Sequence, residues 1–320
     1  MEESIRSFSS QFNFEPKIEN EKNLRPAKNF AVGGMGGSNL ATEILQKVYP
    51  NLDISVHRNY GLPDKKQKEE TLFIASSFSG NTEETLDFLS SALKEKLNVV
   101  VIAKGGKLIS LAEEEKLPFI KLPDSQIQPR MALGWSLLAL VKFIKPEIIS
   151  QIQKLSSLNP SNFEERGKDL AEILKGRIPV IYCSENNAAV ARIWKIKLNE
   201  TGKIPAFFNV LPELNHNEMT GFDYNEQSQP LSEKFFFIIL KDSENHLRIQ
   251  KRISITAKML EEKDLPVKIL ELEGDDQLEK IFNSLFLADW ISLYTARAYG
   301  AEPEQVPMVE NLKKQLTSDN

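Results

Sequence analysis

Apolar and polar positions follow two rhythms along this chain. Short runs such as Leu72-Phe73-Ile74-Ala75 and Phe235-Phe236-Phe237-Ile238-Ile239-Leu240 are apolar at every position, the mark of strands buried on both faces of a sheet. Between such runs, apolar residues recur at helical spacing. In the first half the pattern predicts strands near 29–33, 53–57, 71–76, 98–103 and 118–122, with helices near 39–49, 81–96, 107–116 and 130–145. After Lys145-Pro146 and the polar, helix-poor Ser156–Asn162, it predicts strands near 178–184, 205–210, 234–241 and 266–272. The helices of that half are expected near 163–175, 187–201, 246–264, 276–299 and 306–316. Strands separated by helices of about ten to fifteen residues imply βαβ units and parallel sheets. The expected architecture is α/β in two domains, 1–150 and 151–320, each a mainly parallel sheet flanked by helices. The long apolar helix at 278–299 offers surface for a dimer.

The halves resemble each other in order. Ile181-Tyr182-Cys183-Ser184-Glu185 occupies the place of Ala31-Val32-Gly33-Gly34, and each leads into a helix rich in Ala, Ile and Leu. Lys241-Asp242-Ser243-Glu244-Asn245-His246 stands where the first half has Ser76-Ser77-Phe78-Ser79-Gly80-Asn81-Thr82. The second copy lacks the glycine and two hydroxyls and carries acids, which would repel an anion. The pattern therefore suggests two related domains with a single anion site, in the first.

Composition narrows the class. At 320 residues and 41% hydrophobic, the chain is long enough for two cores. A net charge of −5 with Lys and Arg dispersed gives no footprint for nucleic acid or an anionic membrane. The longest apolar runs fall well short of the roughly 20 residues of a membrane span, and the acidic start Met1-Glu2-Glu3-Ser4-Ile5-Arg6 lacks a signal-type apolar core. The lone cysteine, Cys183, excludes an internal disulfide and a cysteine-based zinc site. A soluble cytoplasmic protein is expected.

The candidate chemistry begins where the 71–76 strand turns toward a helix. Ser77, Ser79 and Thr82 place three hydroxyls around Gly80. Helix N-termini expose unpaired N–H groups and partial positive charge, and hydroxyls add donors without charge. Gly80 would let the backbone approach a ligand closely. A helix cap by Ser79 or Asn81 explains one hydroxyl but not three, so phosphate binding is the better reading. Upstream, Gly33-Gly34-Met35-Gly36-Gly37-Ser38 follows a strand and opens a helix. Asn39 breaks the dinucleotide fingerprint, Asp53 matches its acid by spacing alone, and no Gly-Lys-Ser/Thr loop occurs. Those glycines either allow tight helix–sheet packing or form a floor against which substrate lies.

Four further residues are candidates. Arg130, after Gln128-Pro129, sits in the first turn of an apolar helix, where its charge opposes the dipole. It is either solvated or held for an anion. Glu200 lies near the C-terminus of its helix, where a carboxylate is disfavoured, and is either functional or a solvated end residue. His216, one of three histidines with His57 and His246, stands in the dense polar loop Asn215-His216-Asn217-Glu218. Its neighbours could fix its tautomer, and no second histidine or cysteine stands at metal-ligand spacing. On the last helix Met308, Val309, Leu312 and Leu316 form an apolar stripe that Lys313 borders and Lys314 does not.

Together these pieces resemble the bifunctional phosphoglucose/phosphomannose isomerases, a family built from two sugar isomerase (SIS) domains, along essentially the whole chain. The resemblance rests on Gly34-Met35-Gly36-Gly37-Ser38, Ser77-Phe78-Ser79-Gly80-Asn81-Thr82, Pro129-Arg130, Asn199-Glu200, Asn215-His216-Asn217-Glu218 and Leu312-Lys313. It implies that Ser38, Ser77, Ser79 and Thr82 hold a sugar phosphate, with Gly36 and Gly37 close to the sugar. It implies Glu200 as the base shuttling a proton between C1 and C2, and Arg130 over the enediolate. His216, contributed by the partner subunit of a homodimer, would open the sugar ring, and Lys313 would assist. The substrates implied are small-molecule sugar phosphates, with no cofactor and no metal.

Overall fold

The structure is a computed structural model that describes residues 1–64 and 66–318, except the side chains of 317 and 318. The chain forms two compact units. One is Arg6–Asn159; the other runs from Pro160 onward and includes Met1–Ile5. The break thus falls later than residue 150, because helix Ile149–Gln153 and the 3-10 turn Lys154–Ser157 pack back on the turn Phe8–Asn13 of the first unit.

A short helix, α1 (Glu2–Arg6), opens the chain. The first unit then runs β1 (Asn29–Gly33), α2 (Gly37–Val48), β2 (Ile54–His57), β3 (Thr71–Ser77), α3 (Glu83–Lys94), β4 (Asn98–Ala103), α4 (Gly106–Glu114), β5 (Phe119–Lys121), α5 (Leu133–Ile144) and α6 (Ile149–Gln153). Its sheet is parallel throughout, in the order β2-β1-β3-β4-β5. Every residue of β3 and β4 is buried, as their unbroken apolar runs require. Phe73 and Phe88 lie 6.0 Å apart, centroid to centroid, in the core that α3 and α4 close over β3 and β4. Phe119 exchanges backbone bonds with Glu19 beside β5, which covers the sheet edge. The strand order reverses direction between β1 and β3. Loops leaving such a switch point diverge and open a crevice at the carboxyl ends of the strands.

The second unit repeats this plan with α7 (Glu164–Ile173), β6 (Ile178–Ser184), α8 (Ala188–Glu200), β7 (Phe207–Leu211), α9 (Gln229–Ser232), β8 (Phe235–Lys241), α10 (Leu247–Glu261), β9 (Val267–Glu271), α11 (Gln277–Ala298) and α12 (Pro307–Ser318). Its parallel sheet has the order β7-β6-β8-β9, with the switch point between β6 and β8. Helix α11 is not the exposed dimer surface expected. Phe282, Phe286, Trp290 and Ile291 on it are fully buried, and it packs against α7 and α8 within the unit. Its polar groups are satisfied at home: Trp290 Nε1 donates to Pro160 O at 2.8 Å, and Ser284 Oγ accepts from Nε1 of Trp194, on α8, at 2.9 Å. Apolar side chains that do stand exposed include Met308, Val309, Leu312 and Leu316 on α12. Among the described residues, no helix is long and apolar enough to cross a membrane.

Candidate active site

The loop from β3 to α3 and the start of α2 meet at the first switch point. Ser77 Oγ and Thr82 Oγ1 lie 2.8 Å apart, with Ser79 Oγ 3.5 Å from Ser77 Oγ. Ser77 Oγ accepts from Gly80 N–H, and Ser79 Oγ from Asn81 N–H. Ser38, in the first turn of α2, accepts from Phe78 N–H at 3.1 Å and joins the two segments. The structure thus brings Ser38, Ser77, Ser79 and Thr82 together.

Capping does not account for these hydroxyls. Thr82 is the N-cap of α3, yet its side chain makes no cap bond, and Asn81 Oδ1 accepts from Lys107 N–H in the first turn of the neighbouring α4. The expected reason for Gly80 needs correction. Its φ is +72°, and a Cβ there would stand 1.7 Å from Gly105 O. The backbone it approaches is that of the β4–α4 turn, and no other residue fits.

Gly36 is the N-cap of α2, at φ +50°, and Gly37 its first residue. A Cβ on Gly37 would come within 2.9 Å of Pro129 O and 3.1 Å of Arg130 N, so this glycine lets α2 start against the Pro129–Met131 turn. Arg130 is 2% exposed, which removes the alternative of a solvated surface arginine. It also lies in that separate 3-10 turn, and not in the helix, which begins at Leu133. The dipole opposition expected at a helix start therefore does not apply.

In the second unit Glu200 is the last residue of α8 and half-buried. Its backbone carbonyl accepts from Lys203 Nζ at 2.7 Å, and Asn199 Oδ1 beside it accepts from Ala206 N–H at 2.8 Å. His216 closes a 3-10 turn, Glu213–His216, after β7 and is exposed. The loop that carries it is anchored on both sides. Asn215 donates to Thr256 Oγ1 at 2.9 Å and accepts from Arg252 at 3.2 Å, both on α10. Glu218 accepts from Tyr182 Oη at 2.7 Å and Asn209 Nδ2 at 2.6 Å, on β6 and β7. Burial, reinforced by the Glu218 carboxylate, holds the Tyr182 phenol pKa far above its usual value, so it stays a donor. The other histidines have local tasks: His246 Nδ1 caps α10, and His57 Nε2 lies 3.2 Å from Tyr60 O.

Lys313 is exposed and paired with Glu310 at 2.8 Å. The stripe that distinguished it from Lys314 is itself exposed, so burial of that stripe within the unit is not a reason to prefer it.

The second switch point is filled by the protein's own side chains. Asp242, 3% exposed, accepts from Glu244 N–H at 3.1 Å and pairs with Lys280 at 3.2 Å. Lys280 also pairs with Glu244 at 2.7 Å. Burial would lower the Lys280 pKa, but the two carboxylates together outweigh it and the net shift is upward. The acids expected to repel phosphate are thus matched by a buried ammonium, and a side-chain carboxylate stands where the first unit has its hydroxyls.

Sequence reading missed Lys203, Tyr182 and Asn209, and also a buried ion pair of Lys197 with Asp289 at 2.5 Å. Tyr182 and Asn209 carried a faint signal as polar groups inside strands. Lys203 carried none.

Comparison with known proteins adds a family to this geometry. Residues 163–316 match the bacterial phospho-glucose isomerase C-terminal SIS domain. A hypothetical protein of Thermus thermophilus superposes with a TM-score of 0.69 at 18% identity, covering 99% of this chain and 87% of that one, which shows the fold. The bifunctional phosphoglucose/phosphomannose isomerase of Thermoplasma volcanium is 31% identical over 94% of this chain and 96% of its own. That of Aquifex aeolicus is 33% identical over 98% of this chain and 97% of its own. Sharing that identity from end to end, the chain belongs to the bifunctional phosphoglucose/phosphomannose isomerase family.

Proposed function

We propose that the protein interconverts fructose 6-phosphate with glucose 6-phosphate and mannose 6-phosphate by carboxylate proton transfer through a cis-enediolate. The observation that carries the reading is the hydroxyl cluster of Ser38, Ser77, Ser79 and Thr82 at a sheet switch point, in a chain of this family. Hydroxyls and backbone N–H groups around Gly80 hold the phosphate, and Gly36, where a Cβ would meet nothing within 4 Å, leaves room for the sugar, with Gly37 beside it packed on the Pro129–Met131 turn. That remote binding orients the reacting carbons.

Glu200 takes the proton from one carbon and returns it to the other. The proton is only weakly acidic, so a positioned carboxylate is needed. Negative charge then develops on the enediolate, and Arg130 stabilises it. C2 is planar in that intermediate. Return of the proton to one face gives glucose 6-phosphate and to the other mannose 6-phosphate, so one base serves both aldoses. His216 opens the ring, reaching the sugar from the partner subunit of a homodimer; its exposure on an anchored loop supports this role. Lys313 assists in ring opening or binding. The reaction takes no cofactor. Hexose phosphates are intracellular metabolites, and the reading puts the enzyme in the cytoplasm.

A panel of sugar phosphates tests the substrate. Fructose 6-phosphate is expected to turn over faster than glucosamine 6-phosphate or a pentose phosphate. Faster turnover of either of the latter would reassign the enzyme to another SIS isomerisation. Tight binding of fructose 6-phosphate without turnover would make the protein a sugar-phosphate-binding regulator.

A further inference from the structure

We propose that Lys203 is a positioning residue that fixes the end of α8, and so the Glu200 carboxylate, against the segment leading into α12. The inference rests on Glu200 being the base.

Lys203 adopts φ +58°, in the left-handed region that glycine occupies without strain. The adjacent Gly202 does not take that conformation. It lies so close to the helix that a Cβ there would stand 2.6 Å from Leu198 O. The strained position therefore falls on a residue with a long cationic side chain. Lys96 and Lys116 take the same conformation just after α3 and α4, so what sets Lys203 apart is where its side chain is held.

Lys203 Nζ donates to Glu200 O at 2.7 Å and also to Gln305 O. The last carbonyls of a helix are left without helical partners and carry negative partial charge, so an ammonium is well matched to them. Other carbonyls of this helix end are used by backbone: Lys197 O accepts from Thr201 N–H and Gly202 N–H, and Leu198 O from Ile204 N–H. Glu200 O is served by a side chain instead. Gln305 lies two residues before Pro307, where α12 begins and carries Lys313 onward. One ammonium thus joins the backbone of the base to the approach of the helix bearing the candidate lysine. Glu304, next to Gln305, is held by the Met1 amino group. Lys203 variants leave that anchor in place and isolate the link to Glu200.

The test compares K203M, K203G and K203R with wild type, with E200Q alongside. K203M removes the ammonium and keeps the strained backbone, whereas K203G removes the ammonium and relieves the strain. Displacement of a catalytic group by about 1 Å costs on the order of 10²-fold in rate. We expect K203M and K203G to lose kcat for fructose 6-phosphate about 10- to 100-fold on that scale, with KM and inhibition by inorganic phosphate within about threefold of wild type. K203R, which keeps a cation, is expected to recover most of kcat. Amide exchange in residues 301–318 should quicken in K203M and K203G.

If the lysine served only to stabilise the fold, K203G would be the more active of the two, because its backbone is relaxed. Equal losses identify the ammonium. Wild-type kcat in K203M and K203G, or failure of K203R to restore it, overturns the inference. Should K203M be fully active and E200Q inactive, the base assignment stands and only Lys203 loses its role. Should E200Q be fully active, the base assignment itself fails.

Discussion

A hydroxyl bonded to its neighbours is a modest contributor to stability and a strong one to anion binding. Ser77 Oγ lies in hydrogen-bond reach of Thr82 Oγ1 and Gly80 N–H, so it both shapes the loop and faces the other hydroxyls. A hydrogen bond to a charged group contributes about 1.5–3 kcal/mol, which is roughly 10- to 100-fold in affinity. S77A is therefore expected to raise the inhibition constant of inorganic phosphate and KM for fructose 6-phosphate by that factor. S110A, on an exposed face of α4, is the control. Unchanged phosphate inhibition in S77A would remove the loop from the binding site. These hydroxyls were legible in the sequence because they stand within one loop after one strand. Lys203 and Tyr182 were not, because Gln305 and Glu218 are remote in the chain and only the fold brings each pair together. Gly80 was legible as a necessary glycine, but the surface it approaches belongs to a different turn.

At the scale of elements, α8 is held to α11 by the Lys197–Asp289 pair, in which both side chains are at most 2% exposed. Removing one partner of a buried pair leaves an uncompensated charge and costs about 3–5 kcal/mol, while replacing both by apolar groups of similar volume is often near neutral. Urea unfolding should show D289N destabilised by about that amount and K197M/D289L recovering most of it. A D289N loss under about 1 kcal/mol would mean the pair is not held dry. The strands and longer helices lie where the apolar rhythm placed them, because a parallel sheet buried on both faces and its amphipathic crossovers each leave a distinct period. What that rhythm cannot say is which neighbour an apolar face meets. Helix α11 reads as apolar enough for an interface and is instead the core of its own unit, whereas the apolar stripe on α12 is exposed. The short 3-10 turns, such as Pro129–Met131 beside the start of α2, have no period to read.

At the scale of the whole molecule, two halves of one plan have diverged. One switch point collects hydroxyls, while the other is filled by Asp242 against Lys280. If His216 acts from the partner subunit, activity depends on pairs of chains. Mixing inactive E200Q with inactive H216A under conditions that allow subunit exchange would then restore about a quarter of wild-type activity. Random pairing makes half of the dimers mixed, and each of those has one intact site of two. No recovery, with exchange verified by mass, would place His216 and Glu200 of one chain in the same site. The most direct measurement is turnover of fructose 6-phosphate by wild type and E200Q, reading glucose 6-phosphate and mannose 6-phosphate separately. The expected result is both aldoses from wild type and a loss of about 10²- to 10⁴-fold for both in E200Q, the range of general-base catalysis. Neither aldose from wild type, or wild-type turnover by a folded E200Q, would contradict proton transfer by this carboxylate.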